Sequence, residues 1–104
     1  MKKQNGATSF GVIGLGRFGS ALVKTLADAG KEVIAVDKDE QAVKAVRRYT
    51  DYAFVVESLS QETLGETGIQ NCNTVTICIG EAIDMSVLTT MLVIKMGIPH
   101  VIAK

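Results

Sequence analysis

The residues able to do chemistry in this sequence sit in two places. Gly14, Gly16 and Gly19 give the spacing G-x-G-x-x-G with Arg17 inside it, and Asp37 follows roughly 20 residues later. Glycines so spaced suit the holding of an anion by backbone. The first permits a sharp turn, the second lets the chain approach a pyrophosphate closely, and the third lets a helix lie against its strand. N–H groups at the start of that helix, together with its positive dipole end, would face the anion. The acid is the residue type that hydrogen-bonds ribose hydroxyls, and it disfavours a 2′-phosphate by charge repulsion. Free ribose hydroxyls, as in NAD(H), ATP or ADP, are therefore expected rather than NADP.

Two cations accompany this pattern. Arg17 at a helix start meets the positive dipole end at a cost of up to about 1 kcal/mol, a placement that makes sense with an anion between them. The alternative is an exposed arginine paired with a surface acid. Lys38, beside Asp37, either softens the preference against a 2′-phosphate or is a solvated turn lysine.

Catalytic parts are scarce. His100 next to Pro99 stands at a strand entrance, away from the glycine edge, and is read as structural. No serine or cysteine has a base placed near it, and no pair of carboxylates stands out. Cys72 and Cys78 lack C-x-x-C spacing and metal-ligand partners, so both are expected as reduced thiols. With His100 the single histidine, a zinc site is not expected.

Composition narrows the partners. Eleven basic and eleven acidic residues cancel, which leaves no electrostatic footprint for nucleic acid and no polybasic membrane patch. No apolar run approaches the roughly 18 residues of a membrane span, and Met1-Lys2-Lys3 leads into polar residues rather than a signal-peptide core. The expectation is one cytoplasmic domain of 104 residues.

The elements that must position these residues follow from periodicity. Ser9 to Ile13 reads as a strand, and Phe18, Ala21, Leu22, Thr25, Leu26 and Ala29 trace one helical face stopped by Gly30. Glu32 to Val36 is a second strand, ending at Asp37. Asp39 caps a second helix carrying Ala42, Val43, Val46 and Tyr49. A third strand is expected over Tyr52–Val56, and then a short helix capped by Ser60 and stopped at Gly65 or Gly68. A fourth strand, Thr74–Ile79, ends at Gly80. Asp84 is expected to cap a helix from Met85 to Met96, which Gly97 and Pro99 terminate before a fifth strand from His100. That last helix is apolar on more than one stripe, consistent either with burial on both sides or with a subunit interface.

Strands alternating with helices define an α/β, Rossmann-like doubly wound parallel sheet of order 3-2-1-4-5. The ligand edge would lie where the order reverses, between strands one and four. Residues 1–8 read as a flexible arm and residues 9–104 as the domain, with the last helix and strand of the fold expected to lie beyond this chain.

The runs Val12-Ile13-Gly14-Leu15-Gly16-Arg17-Phe18-Gly19, Val33-Ile34-Ala35-Val36-Asp37, Val75-Thr76-Ile77-Cys78-Ile79-Gly80 and Leu88-Thr89-Thr90 closely resemble the N-terminal nucleotide-binding domain of Ktr/Trk potassium-uptake regulators, also called KTN or RCK domains. The resemblance implies a cytosolic regulator rather than an enzyme. It implies binding of ATP/ADP or NAD(H), assembly of homodimers into a ring, commonly an octamer, and docking on a membrane potassium-translocating subunit whose gate it controls. The regulatory C-terminal domain of the family lies outside these residues. Carried over by position, Gly14, Gly16, Arg17, Phe18 and Gly19 form the phosphate loop, Asp37 holds the ribose with Lys38 beside it, Ile79 and Gly80 line the adenine side, and Lys104 approaches phosphate. Where the family usually shows Asp or Asn, then Ala and Thr, this chain has Glu57-Ser58-Leu59; Glu57 and Ser58 are then the candidates nearest the adenine or ribose. Two other readings are the cofactor-binding fragment of an NAD-dependent oxidoreductase and a nucleotide-dependent assembly module with another client.

Overall fold

A computed structural model of the chain describes residues 9–79 and 83–103. The expectations placed on residues 1–8, Gly80 and Lys104 lie outside the described residues.

Five parallel strands form one sheet in the order β3-β2-β1-β4-β5. They are β1 (Ser9–Ile13), β2 (Glu32–Asp37), β3 (Ala53–Val55), β4 (Thr74–Ile77) and β5 (His100–Ala103). The helices joining them are α1 (Arg17–Asp28), α2 (Glu40–Val46), α3 (Gln61–Glu66) and α4 (Ile83–Lys95), with a short 3-10 turn at Ile69–Asn71. The expected strand order is thus the observed one.

Strand alternation sends successive side chains to opposite faces. On one face Val12, Leu15, Val33, Ala35 and Ala53 pack with Val23 of α1 and with Val43 and Val46 of α2. On the other, Ile13, Ile34, Val36, Val75 and Ile77 pack with Leu64 of α3, Ile69 of the 3-10 turn and Val93 of α4. Each such valine, leucine or isoleucine side chain, fully buried, contributes about 1.5–3 kcal/mol. Gly11, inside β1, leaves room for Ile69: a Cβ there would meet the Ile69 side chain at 2.6 Å.

Local signals end the elements as their chemistry dictates. The Asp39 carboxylate accepts the Gln41 N–H at 3.0 Å and caps α2. Ser60 and Thr63 cap α3 reciprocally, and Gly68, in the left-handed region at φ 81°, closes its far end.

Several boundaries differ from expectation. α2 ends at Val46, so Tyr49 lies beyond it, and α4 ends at Lys95 rather than Met96. β4 stops at Ile77, so Cys78 and Ile79 leave the ladder instead of extending it. β3 is trimmed to Ala53–Val55, although Val56 still donates its N–H to Asp37. α4 begins at Ile83, which places Asp84 inside the first turn rather than at the cap; its charge there favours the positive helix end instead of closing an N–H. His100 is exposed and donates its backbone N–H to Asn73 at the amino end of the sheet.

α4 is not buried on both sides. Thr89 and Val93 face the sheet, whereas Val87, Leu88, Met91 and Ile94 are each more than half exposed. Ile102 of β5 is likewise open, on the opposite sheet face from Val101, which packs against the core. Among the described residues no helix is long and apolar enough to cross a membrane.

Candidate functional site

Where the strand order reverses, the carboxyl ends of β1, β2 and β4 surround a cleft of about 480 Å³. Gly14, Leu15, Gly16, Arg17 and Phe18 supply one wall. Asp37 and Lys38 come from the end of β2, Cys78 and Ile79 from the end of β4, Leu59 from the loop before α3, and Met85 from α4.

The glycines divide the labour physically. Gly14 has φ 100°, and a Cβ on it would meet the Cys78 carbonyl oxygen at 2.7 Å; only glycine turns the chain here without strain. A Cβ on Gly19 would collide with the Gly14 carbonyl oxygen, so this glycine lets α1 seat on the turn. Gly16 is different. Its φ of −73° and ψ of −157° suit other residues, and a Cβ there would meet nothing within 4 Å. The folded chain does not need glycine at this position, and the space it keeps open borders the cleft.

Gly16 is also the N-cap of α1, with no side-chain capping bond and no acidic residue in the first turn. The helix start therefore keeps its positive character toward the cleft. Arg17 is exposed, and its side chain has no ion-pair partner among the described residues. The alternative expectation, pairing with a surface acid, is not met by any acid among the described residues.

Asp37, at the end of β2, adjoins the glycine loop with both carboxylate oxygens engaged. One accepts the Leu15 N–H at 2.6 Å, and the other accepts the Asp39 N–H at 2.8 Å. A carboxylate oxygen has two acceptor positions, so each retains capacity toward a hydroxyl in the cleft. Donor-rich backbone, an exposed cation, an acid with spare acceptor capacity and apolar walls form a donor and acceptor set that fits a nucleoside phosphate.

Of the residues named from sequence, Gly14, Gly16, Arg17, Phe18, Asp37, Lys38 and Ile79 come together in the cleft, with Gly19 packed beneath it. Glu57 and Ser58 do not line it. Glu57 borders a separate depression with Phe54, Val55, Thr63, Glu66 and Thr67, and the Ser58 carbonyl accepts the Thr63 hydroxyl at 2.6 Å. Their neighbour Leu59 takes the place at the cleft. Leu15, Leu59, Cys78 and Met85 line the cleft as well but were not assigned to the site from sequence. The apolar residue after the third strand and the first apolar residue behind Asp84 were the available signals for Leu59 and Met85.

A sheet of this order with a glycine turn at its switch point defines a Rossmann-like domain of the nucleotide-binding class. The profile of the TrkA-N domain matches residues 10–104, and the chain belongs to that family, the N-terminal domain of Ktr/Trk-type regulatory proteins. Among curated proteins it is 36% identical over 104 residues to Ktr system potassium uptake protein C of Bacillus subtilis (strain 168), covering 100% of this chain and 45% of that protein. It is 40% identical over 95 residues to Ktr system potassium uptake protein A of the same organism, covering 91% of this chain and 43% of that one. With Ktr system potassium uptake protein A of Vibrio alginolyticus it shares 37% over 101 residues, 97% of this chain and 46% of that one. The chain thus spans less than half the length of the relatives it matches.

Proposed function

We propose that this chain is the nucleotide-sensing domain of a cytoplasmic regulatory subunit of potassium uptake, and that it acts by binding rather than by catalysis. ATP/ADP or NAD(H) occupies the cleft, with phosphates at Gly14, Gly16, Arg17, Phe18 and the helix start beside Gly19. The ribose lies at Asp37 with Lys38 alongside, and the adenine lies toward Ile79 and Gly80. Lys104 approaches phosphate, and the segment carrying Glu57 and Ser58 reaches the base through Leu59.

The observation that carries this reading is Gly16. A residue whose added Cβ would meet nothing within 4 Å and whose backbone is extended is nevertheless glycine where the cleft meets a helix start. Family membership and the potassium-uptake names of the relatives supply the context.

Regulation requires that a ligand bind two shapes of the assembly with different affinity. Arg17 is suited to that discrimination, because its guanidinium fork can engage a terminal phosphate that ATP has and ADP lacks. The exposed face of α4 would join homodimers that build a ring, an octamer in the longer parent protein. That ring docks on the membrane potassium-translocating subunit at the inner face of the membrane.

Calorimetric titration with ATP, ADP, NADH and NADPH tests the reading. The adenine ligands with free ribose hydroxyls are expected to bind, Asp37→Ala to weaken all of them, and Arg17→Ala to weaken ATP most. Absence of binding to a demonstrably folded chain would remove the nucleotide role. Failure of the longer parent to associate with a potassium-transporting membrane protein would remove the client.

A further inference from the structure

Every polar group of the Leu15 backbone is held by a side chain. Its N–H donates to the Asp37 carboxylate at 2.6 Å, and its carbonyl accepts the Ser20 hydroxyl at 2.8 Å. The Leu15 side chain is only 3% exposed and packs among Val12, Val23 and Val33. On either side, Gly14 donates its N–H to Val36 at 2.8 Å, and Gly16 passes directly into α1. The residue between the first two glycines is thus the fixed point of the loop, and the charged acceptor fixing it comes from β2, 22 positions away.

We propose that Asp37 is a positioning residue for the glycine loop as well as a ribose acceptor: its carboxylate latches the Leu15 N–H and so sets the loop in phosphate-binding shape before any ligand arrives. A short bond to a charged acceptor is among the stronger hydrogen bonds a loop can have. The second oxygen, held by the Asp39 N–H at the cap of α2, stops the carboxylate from turning away. The consequence is a preorganised loop, whose ordering is settled on folding rather than on binding. This inference rests on the nucleotide reading only for what the loop binds; the latch itself is a property of the ligand-free chain.

The two are separable by experiment. Amide hydrogen exchange at Leu15, measured without ligand in the wild type, Asp37→Ala and Asp37→Asn, reads the latch. Exchange is expected to be at least about tenfold faster in Asp37→Ala and intermediate in Asp37→Asn, which keeps one acceptor oxygen, while Val12 and Ile34 stay protected. Should the alanine variant fail to fold, Asp37→Asn against the wild type carries the comparison. Pyrophosphate, which has no ribose, then reads the consequence. Removing a negative charge from the cleft would by itself tighten pyrophosphate binding, whereas loss of the latch is expected to weaken it several-fold. Unchanged Leu15 exchange, or tighter pyrophosphate binding in the variants, would overturn the proposal. Failure of ADP to bind a wild type whose Leu15 exchange depends on Asp37 would instead overturn the nucleotide reading and leave the latch standing.

Discussion

Helices α1 and α4 are nearly equal in length, 12 and 13 residues, yet they end in opposite situations. α1 turns Gly19 and Val23 into the core, packs Leu22 and Leu26 against it, and shows solvent Lys24 and Asp28. α4 buries Thr89 and Val93 and shows solvent Val87, Leu88, Met91 and Ile94, with Leu88 60% exposed and Met91 58% exposed. A helix whose apolar residues form one stripe is satisfied by its own sheet; one that is apolar on its outer side as well has a second surface to bury. The difference separates a helix that seats the glycine turn on the sheet from one that leaves an apolar face open. Met85 links the two roles, because it lines the cleft at the start of α4 and is itself part exposed.

The comparison can be broken at its strongest point first. Gly19→Ala drives a methyl into the Gly14 carbonyl oxygen, a backbone group that cannot swing aside. The expected loss exceeds about 3 kcal/mol and the cooperative unfolding transition should disappear or move far down in denaturant. The buried positions of the two helices should then behave alike. Val23→Ala and Val93→Ala, each fully buried, are expected to cost roughly 1–3 kcal/mol apiece by chemical denaturation. A much smaller loss at Val93 would mean that α4 is not anchored as the structure has it.

The exposed positions should part company. Leu88→Gln and Met91→Gln on α4 are expected to change the stability of the monomer by no more than about 0.5 kcal/mol while lowering self-association in sedimentation equilibrium. If association survives both, the open face of α4 serves some other contact. Smallest of all is the outer face of α1, where Lys24 and Asp28 pair at 3.0 Å in full view of water. The hydrogen bond and charge of Asp28, followed by the charge of Tyr49, raise the Lys24 pKa above its ordinary 10.5. A raised value in the folded chain stabilises it fully below 10.5 and ceases to do so as pH climbs past the folded value. Lys24→Met should therefore shift the melting temperature barely detectably at neutral pH and not at all in strong alkali.

What could be read in the sequence was whatever is local. The caps at Asp39 and Ser60 and the glycine stop at Gly30 depend on neighbours within a turn or two, and all are found in place. The expected face of α1 is displaced: Phe18, Ala21, Thr25 and Ala29 are exposed, and Gly19 and Val23 are buried with Leu22 and Leu26 beside them. Strand alternation with helices was enough for the sheet order. The 3-10 turn at Ile69–Asn71 is too short to carry a period, and the need for Gly11 opposite Ile69 shows only when the chain is folded. The same holds within the site. Gly16, Arg17 and Asp37 announce themselves by spacing, whereas the bond from Leu15 to Asp37 joins distant positions, and Leu59 replaces Glu57 at the cleft because the loop after β3 turns its acid into a different depression.

The central assignment turns on space kept at Gly16 for a ligand, and a single comparison addresses it: calorimetric titration of ADP into the wild type and into Gly16→Ala, with the melting temperature of each recorded. A methyl that meets nothing in the folded chain is expected to leave stability within about 0.5 kcal/mol while weakening ADP at least about tenfold, a difference of roughly 1.4 kcal/mol. Equal affinity in the two proteins, or no binding to either, would contradict the assignment of this cleft to a nucleotide.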